Sequence, residues 1–133
     1  MADAVGLRLR KALGLRRPAK HYIEKGELSG LGDAVVNYIA SVSETIRGGI
    51  PTGKRVDNET LVKSVRESGL REKLAHRKDK HSLGDAAETL IAYAWVTGAV
   101  TLDECVETLL RSPSLQDGLT RILRLAIKKA GVT

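Results

Sequence analysis

Apolar residues recur at helical spacing along most of the chain. Leu28, Leu31, Val35, Tyr38 or Ile39, Val42 and Ile46 predict a long helix from about Leu28 to Arg47, ended by Gly48-Gly49 and Pro51. A second long run predicts a helix capped by Ser82 and running to about Thr97, with Gly98 as its stop. Shorter periodic segments surround these two. Residues 4–14 put Val5, Leu9 and Leu13 on one face and basic residues on the other, and Arg16-Arg17-Pro18 ends that helix. Residues 18–27 read as extended or irregular, anchored by Tyr22 and Ile23.

Asp57 or Asn58 can cap a helix carrying Leu61, Val62 and Val65 that stops at Ser68-Gly69, and Leu70 to Ala75 reads as one further short helix. Thr101 caps another, with Asp103 and Glu104 suiting its positive end and Leu102, Val106, Leu109 and Leu110 as its stripe. The last runs from Leu115 to Ala130, with Leu119, Ile122, Leu123, Ala126 and Ile127 facing inward. No segment alternates as a strand does. The expected fold class is all-α, a bundle of about six or seven helices with two of them largely buried.

Composition narrows the classes of function. The chain has 133 residues, 42% hydrophobic and 29% charged, enough for one domain with a real core and too apolar for disorder. We therefore expect a single domain over residues 1–133. No run is long enough to span a bilayer, no signal-peptide pattern opens the chain, and the one cysteine, Cys105, sits mid-stripe as a buried residue would. The expected setting is cytoplasmic, with no membrane partner.

The formal charge is +6 and is unevenly spread. Met1 to Lys25 holds seven basic residues against two acids, and Gly69 to His81 holds five against two. Such clusters attract polyanions, nucleic acid above all, although a charge run alone reads equally as a solvated face. Aromatic residues are 3% of the chain with no Phe, which argues against a base-stacking platform for single strands. The Gly48–Lys54 loop is glycine-rich and basic but not a phosphate-binding P-loop: Arg55 follows Lys54 where Ser or Thr is needed, and no strand precedes it.

The candidate chemistry lies in a repeated tetrapeptide. Leu31-Gly32-Asp33-Ala34 and Leu83-Gly84-Asp85-Ala86 each open an apolar run. Glycine inside a helix costs about 1 kcal/mol relative to alanine and marks close backbone approach. An acid beside it in a buried helix needs a compensating group. Asp85 and Glu88 are three residues apart and share a face, with Asp33 at the matching point of the other helix. If the two helices pack at their glycines, three carboxylates converge, an oxygen set that suits Mg2+ or Mn2+. For Asp85 the competing reading is a loose capping box with Ser82.

These motifs resemble the ribonuclease III catalytic domain. Leu28-Ser29-Gly30-Leu31-Gly32-Asp33-Ala34-Val35-Val36 is similar to that family's signature helix, and Gly84-Asp85-Ala86-Ala87-Glu88-Thr89-Leu90-Ile91-Ala92 to its second motif. Asn58-Glu59-Thr60-Leu61 and Glu67-Ser68-Gly69-Leu70 resemble the helix between them. The likeness spans about residues 28–98 and is closest to compact Mini-III-type and archaeal ribonuclease III-like proteins.

The resemblance implies an all-helical homodimer, without a separate double-stranded RNA-binding domain, that binds double-stranded or structured RNA and cleaves it with Mg2+, with a ribosomal RNA precursor as the expected substrate. It matches Asp33, Asp85 and Glu88 to catalytic, metal-holding acids. Asp57, Glu59 and Glu44 are candidates for a further acid, and Glu59 is the one chosen. Ser29 stands where longer members carry a glutamate, so the alternative is a catalytically weakened RNA-binding or ribosome-associated protein. Arg16, Arg17, Lys20, Lys54, Arg55, Arg77, Lys78 and Lys80 are the expected phosphate contacts.

Overall fold

In a computed structural model the fold is described for residues 4–75 and 79–133. Among them are seven α-helices and no strand: α1 (Ala4–Leu13), α2 (Ala19–Lys25), α3 (Ser29–Gly48), α4 (Asn58–Ser68), α5 (Lys80–Val96), α6 (Leu102–Leu110) and α7 (Leu115–Lys129). Arg71–Lys73 forms a single 3-10 turn, in place of the short helix expected there.

α5 is the axle. It packs against α1, α2, α3, α4 and α7. A helix touched from so many sides cannot keep a polar face, and its buried residues include Leu83, Leu90, Ile91, Trp95 and Val96 all around its circumference. Small residues make this possible: Ala86, Ala87, Ala92 and Ala94 are almost fully buried and let neighbouring backbones close in. The outer helices show the ordinary one-sided pattern. α7 buries Leu119, Ile122, Leu123 and Ala126 and turns Arg121, Arg124, Lys128 and Lys129 outward.

Several helix starts are set by the expected side chains. Asp57 Oδ1 accepts from Thr60 N at 2.7 Å, and Thr101 and Glu104 form a reciprocal capping box. Cross-links then fix the helices to one another. Arg47 Nη2 donates to the Leu109 carbonyl at 2.9 Å, and Arg124 Nη2 donates to the Glu67 carbonyl at 2.9 Å. Cys105 is buried, which pushes its thiol up to about 12 and leaves it inert. No helix of the described residues is long and apolar enough to cross a membrane.

Three sequence expectations are corrected. Residues 19–25 are helical, not irregular. Their short apolar pair is buried by α5, and Gly26, at φ 62°, closes the helix by donating its amide to the Ile23 carbonyl at 3.2 Å. α5 begins two residues before Ser82, because Asp79 is the cap and accepts from Ser82 N at 2.8 Å; Asp85 is thereby freed from any capping role. In α1, Val5 and Leu13 are exposed, Gly6 is buried, and of the expected stripe Leu9 packs against the core.

At Gly32, α3 approaches the backbone of α5 directly. A Cβ at Gly32 would collide with the carbonyl and Cα of Glu88. Gly32→Ala should therefore destabilise the fold by about 1–3 kcal/mol, read as a lower urea midpoint with an unchanged slope. Gly30→Ala, which meets nothing within 4 Å, should leave the midpoint unchanged or raise it.

Candidate active site

The Gly32 contact decides where the acids meet. Asp33 follows Gly32, so the point at which α3 touches the backbone of Glu88 also sets the Asp33 carboxylate beside the Glu88 carboxyl. The two expected glycines do not pack on each other. Gly84 instead receives Asn58 of α4, whose Oδ1 occupies the space of the missing side chain while its Nδ2 donates to the Lys80 carbonyl at 3.2 Å. Gly26 abuts Asp85, its absent Cβ falling 3.3 Å from the aspartate's Cβ.

The result is an open pocket of about 440 Å3 lined by Asp33, Asp85, Glu88, Arg55, Asp57, Asn58 and His81, with Val56 and Leu61 as its apolar part. Glu88 is the deepest of the acids, 8% exposed. Burial, its hydrogen bond with Asp33 and the charges of Asp33 and Asp85 raise its carboxyl from 4.5 to about 8. At neutral pH Glu88 is thus mostly protonated and donates to the Asp33 carboxylate. Asp85 is more open, with its side chain 32% exposed and Oδ2 3.6 Å from His81 Nε2.

One wall is a loop held in register by α3. Asn37 Oδ1 accepts from Val56 N at 2.8 Å, Ser41 Oγ from Lys54 N at 2.8 Å, and Thr45 Oγ1 from Thr52 N at 3.0 Å. Three polar side chains one turn apart bind three alternate amides, and this presents Arg55 and Asp57 to the pocket. Neither Asn58 nor His81 was singled out for this site by sequence. His81 carried a signal, since it precedes Asp85 by four residues on the same helix; Asn58 carried none beyond its capping chemistry.

The other expected contacts are dispersed. Glu59 points away, pairing with Lys63 at 3.4 Å with its side chain 79% exposed, and lines a neighbouring pocket with Lys80. Lys20 lines a separate hollow with Glu24 and Glu72. Lys54 is exposed beside the pinned loop. Arg16 and Arg17 are exposed, their amides each donating to the Tyr22 hydroxyl at 3.0 Å. Arg77 and Lys78 lie outside the described residues.

Fold and pocket together define an all-helical protein with an acid-lined site at the crossing of its two longest helices. A family model described as Ribonuclease III matches residues 26–130, a span that contains every residue of the pocket. The chain belongs to the ribonuclease III family of RNA endonucleases. A comparison with curated proteins finds no match.

That family works with divalent metal ions. Asp33, Asp85 and Glu88 are oxygen donors of the kind such an ion takes, and they line one open pocket. Among the described residues no three His, Cys, Asp or Glu side chains are grouped so that they could hold a metal ion.

Glu88 gives the metal-free protein a pH signature. Its folded carboxyl is raised above the unfolded value, so the folded state binds the extra proton and stability falls as pH rises from about 4.5 through about 8. Calorimetry in EDTA should show Tm dropping across that window, and Glu88→Gln should flatten the drop. An unchanged profile in the variant would contradict the assignment.

Proposed function

We propose that the protein is a Mg2+-dependent endoribonuclease that cuts double-stranded or structured RNA, such as a ribosomal RNA precursor, as a cytoplasmic homodimer. The observation that carries the reading is the Asp33–Glu88 carboxyl pair with Asp85 beside it, in a chain of the ribonuclease III family. Asp33, Asp85 and Glu88 would hold Mg2+, or Mn2+ in its place. The ion, when bound, supplies Lewis acidity toward the phosphodiester and a water poised to attack phosphorus.

The chain's own groups do the rest. Glu88 must give up its proton for the ion to bind, so metal affinity rises with pH toward about 8. Arg55, the one arginine on the acidic pocket among the described residues, draws the phosphate in against the repulsion of the acids. Asn58 holds the first turn of α5 through the Lys80 carbonyl and so orients Asp85. Arg16, Arg17, Lys20, Lys54 and Lys80 give sequence-independent contacts to the duplex backbone, and Arg77 and Lys78, outside the described residues, are further candidates by sequence.

The dimer reading is supported by the outer face of α3. Tyr38 and Ile46 are 54% and 58% exposed there, and Ile50 beyond the helix is 68% exposed. With Ala34 and Val42 they form an apolar stripe at four-residue spacing next to the site. A second reading, an RNA-binding protein weakened in catalysis, is favoured by Ser29 standing where longer members carry an acid.

Two experiments test the proposal. Pure protein with a long duplex RNA and Mg2+ should yield short fragments, and Asp85→Asn should lose at least a hundredfold in rate. Duplex binding without metal-dependent cleavage selects the second reading. In analytical ultracentrifugation the wild type should sediment as a dimer, and Tyr38→Asp with Ile46→Asp should sediment as a folded monomer; a monomeric wild type overturns the dimer.

A further inference from the structure

A second pocket adjoins the acidic one and carries the opposite charge. It has a volume of about 310 Å3 and is lined by Asn58, Glu59, Val62, Lys63, Arg66 and Lys80. Glu59, Val62, Lys63 and Arg66 share one face of α4, and Lys80 is the first residue of α5. Asn58 is the wall common to both pockets. On one side of it stand Asp33, Asp57, Asp85 and Glu88 with Arg55; on the other stand three cations and one acid.

The cations here are not spent on holding the fold. Lys63 pairs with Glu59, but both side chains are largely exposed, and such a pair exchanges readily for a better anion. Among the described residues, neither Arg66 nor Lys80 is paired with a carboxylate. Beneath them Val62 is buried, so the pocket has an apolar floor that strengthens any charge interaction above it. A strand of nucleic acid carries a phosphate at every nucleotide. When one is drawn to the acidic pocket, its neighbours along the strand need cations close by.

We propose that this pocket is a phosphate subsite for the same RNA strand: Lys63, Arg66 and Lys80 grip a backbone phosphate near the one presented to Asp33, Asp85 and Glu88. The inference rests on the nuclease reading and adds to it two residues of α4, Lys63 and Arg66. The subsite fixes the register of the strand across Asn58 and contributes affinity without reading sequence.

The test is the salt dependence of binding to a labelled RNA duplex, with Ca2+ in place of Mg2+. Wild type is compared with Lys63→Gln/Arg66→Gln/Lys80→Gln, all three positions being exposed and so tolerant of change. The control is Arg111→Gln/Lys128→Gln, two exposed cations that line neither pocket. The triple variant should bind at least tenfold more weakly, and the slope of log K against log salt should become shallower by about 2, with the control unchanged. A triple variant with the wild-type slope, or a control that loses as much, overturns the subsite. If cleavage by the wild type persists in that case, the nuclease reading stands; a wild type that binds no duplex overturns both.

Discussion

The contact between Gly32 and the backbone of Glu88 is the constraint on which the rest depends. It removes a side chain where two helices cross, and the helices close until the backbone of one touches the other. Because Asp33 is the next residue and Glu88 is itself the contact, packing and chemistry share one point. The fold could relieve the crowding by separating α3 from α5, but only by opening the space around Ile39, Val36 and Leu90, which are fully buried. Apolar burial of that kind is worth about 1.5–3 kcal/mol per side chain, enough to hold two acids near each other against their repulsion.

Protonation shows how that repulsion is resolved without a cation. Raising Glu88 to about 8 removes one negative charge and converts the conflict into a hydrogen bond with Asp33. On the proposed reading, a cation bound among these acids would take the place of that proton. A pair of apolar side chains would stabilise the crossing more, so the acids are a cost that the core sustains for the sake of the site. The same logic explains the glycines at 26 and 84. Each admits a neighbour that the site uses, Asp85 against Gly26 and Asn58 against Gly84.

Much of this was legible in the sequence because the relevant periods are local. The helices appear in the spacing of Leu, Val and Ile, and the Asp85–Glu88 pair in the three-residue interval that puts both on one face. The glycines announced close approach. What they approach was not legible, since partner choice is a tertiary matter: Gly84 reads like Gly32 in its tetrapeptide, yet one meets α4 and the other α5. Residues 19–25 escaped because a seven-residue helix has too few turns to show a period and is stabilised by burial on α5. Glu59 was a reasonable choice by type, but position on the helix decides direction. It lies at the second residue of α4 and faces Lys63, while the cap and first residue, Asp57 and Asn58, line the acidic pocket.

The pinned loop completes the logic. A chain segment that must present Arg55 to a pocket of acids is unstable if left free, because solvent screens the attraction and the segment keeps its entropy. α3 removes that freedom with Asn37, Ser41 and Thr45, which bind the amides of Val56, Lys54 and Thr52. These three residues lie on the helix that carries Asp33, so one rigid element positions both the acid and the cation. On α4 the arrangement recurs with the sign reversed, as Asn58 borders both pockets and Lys63 and Arg66 follow on the same helix. On the proposed reading, an RNA backbone with one phosphate drawn to a cation among the acids and its neighbours on Lys63, Arg66 and Lys80 would satisfy both signs at once.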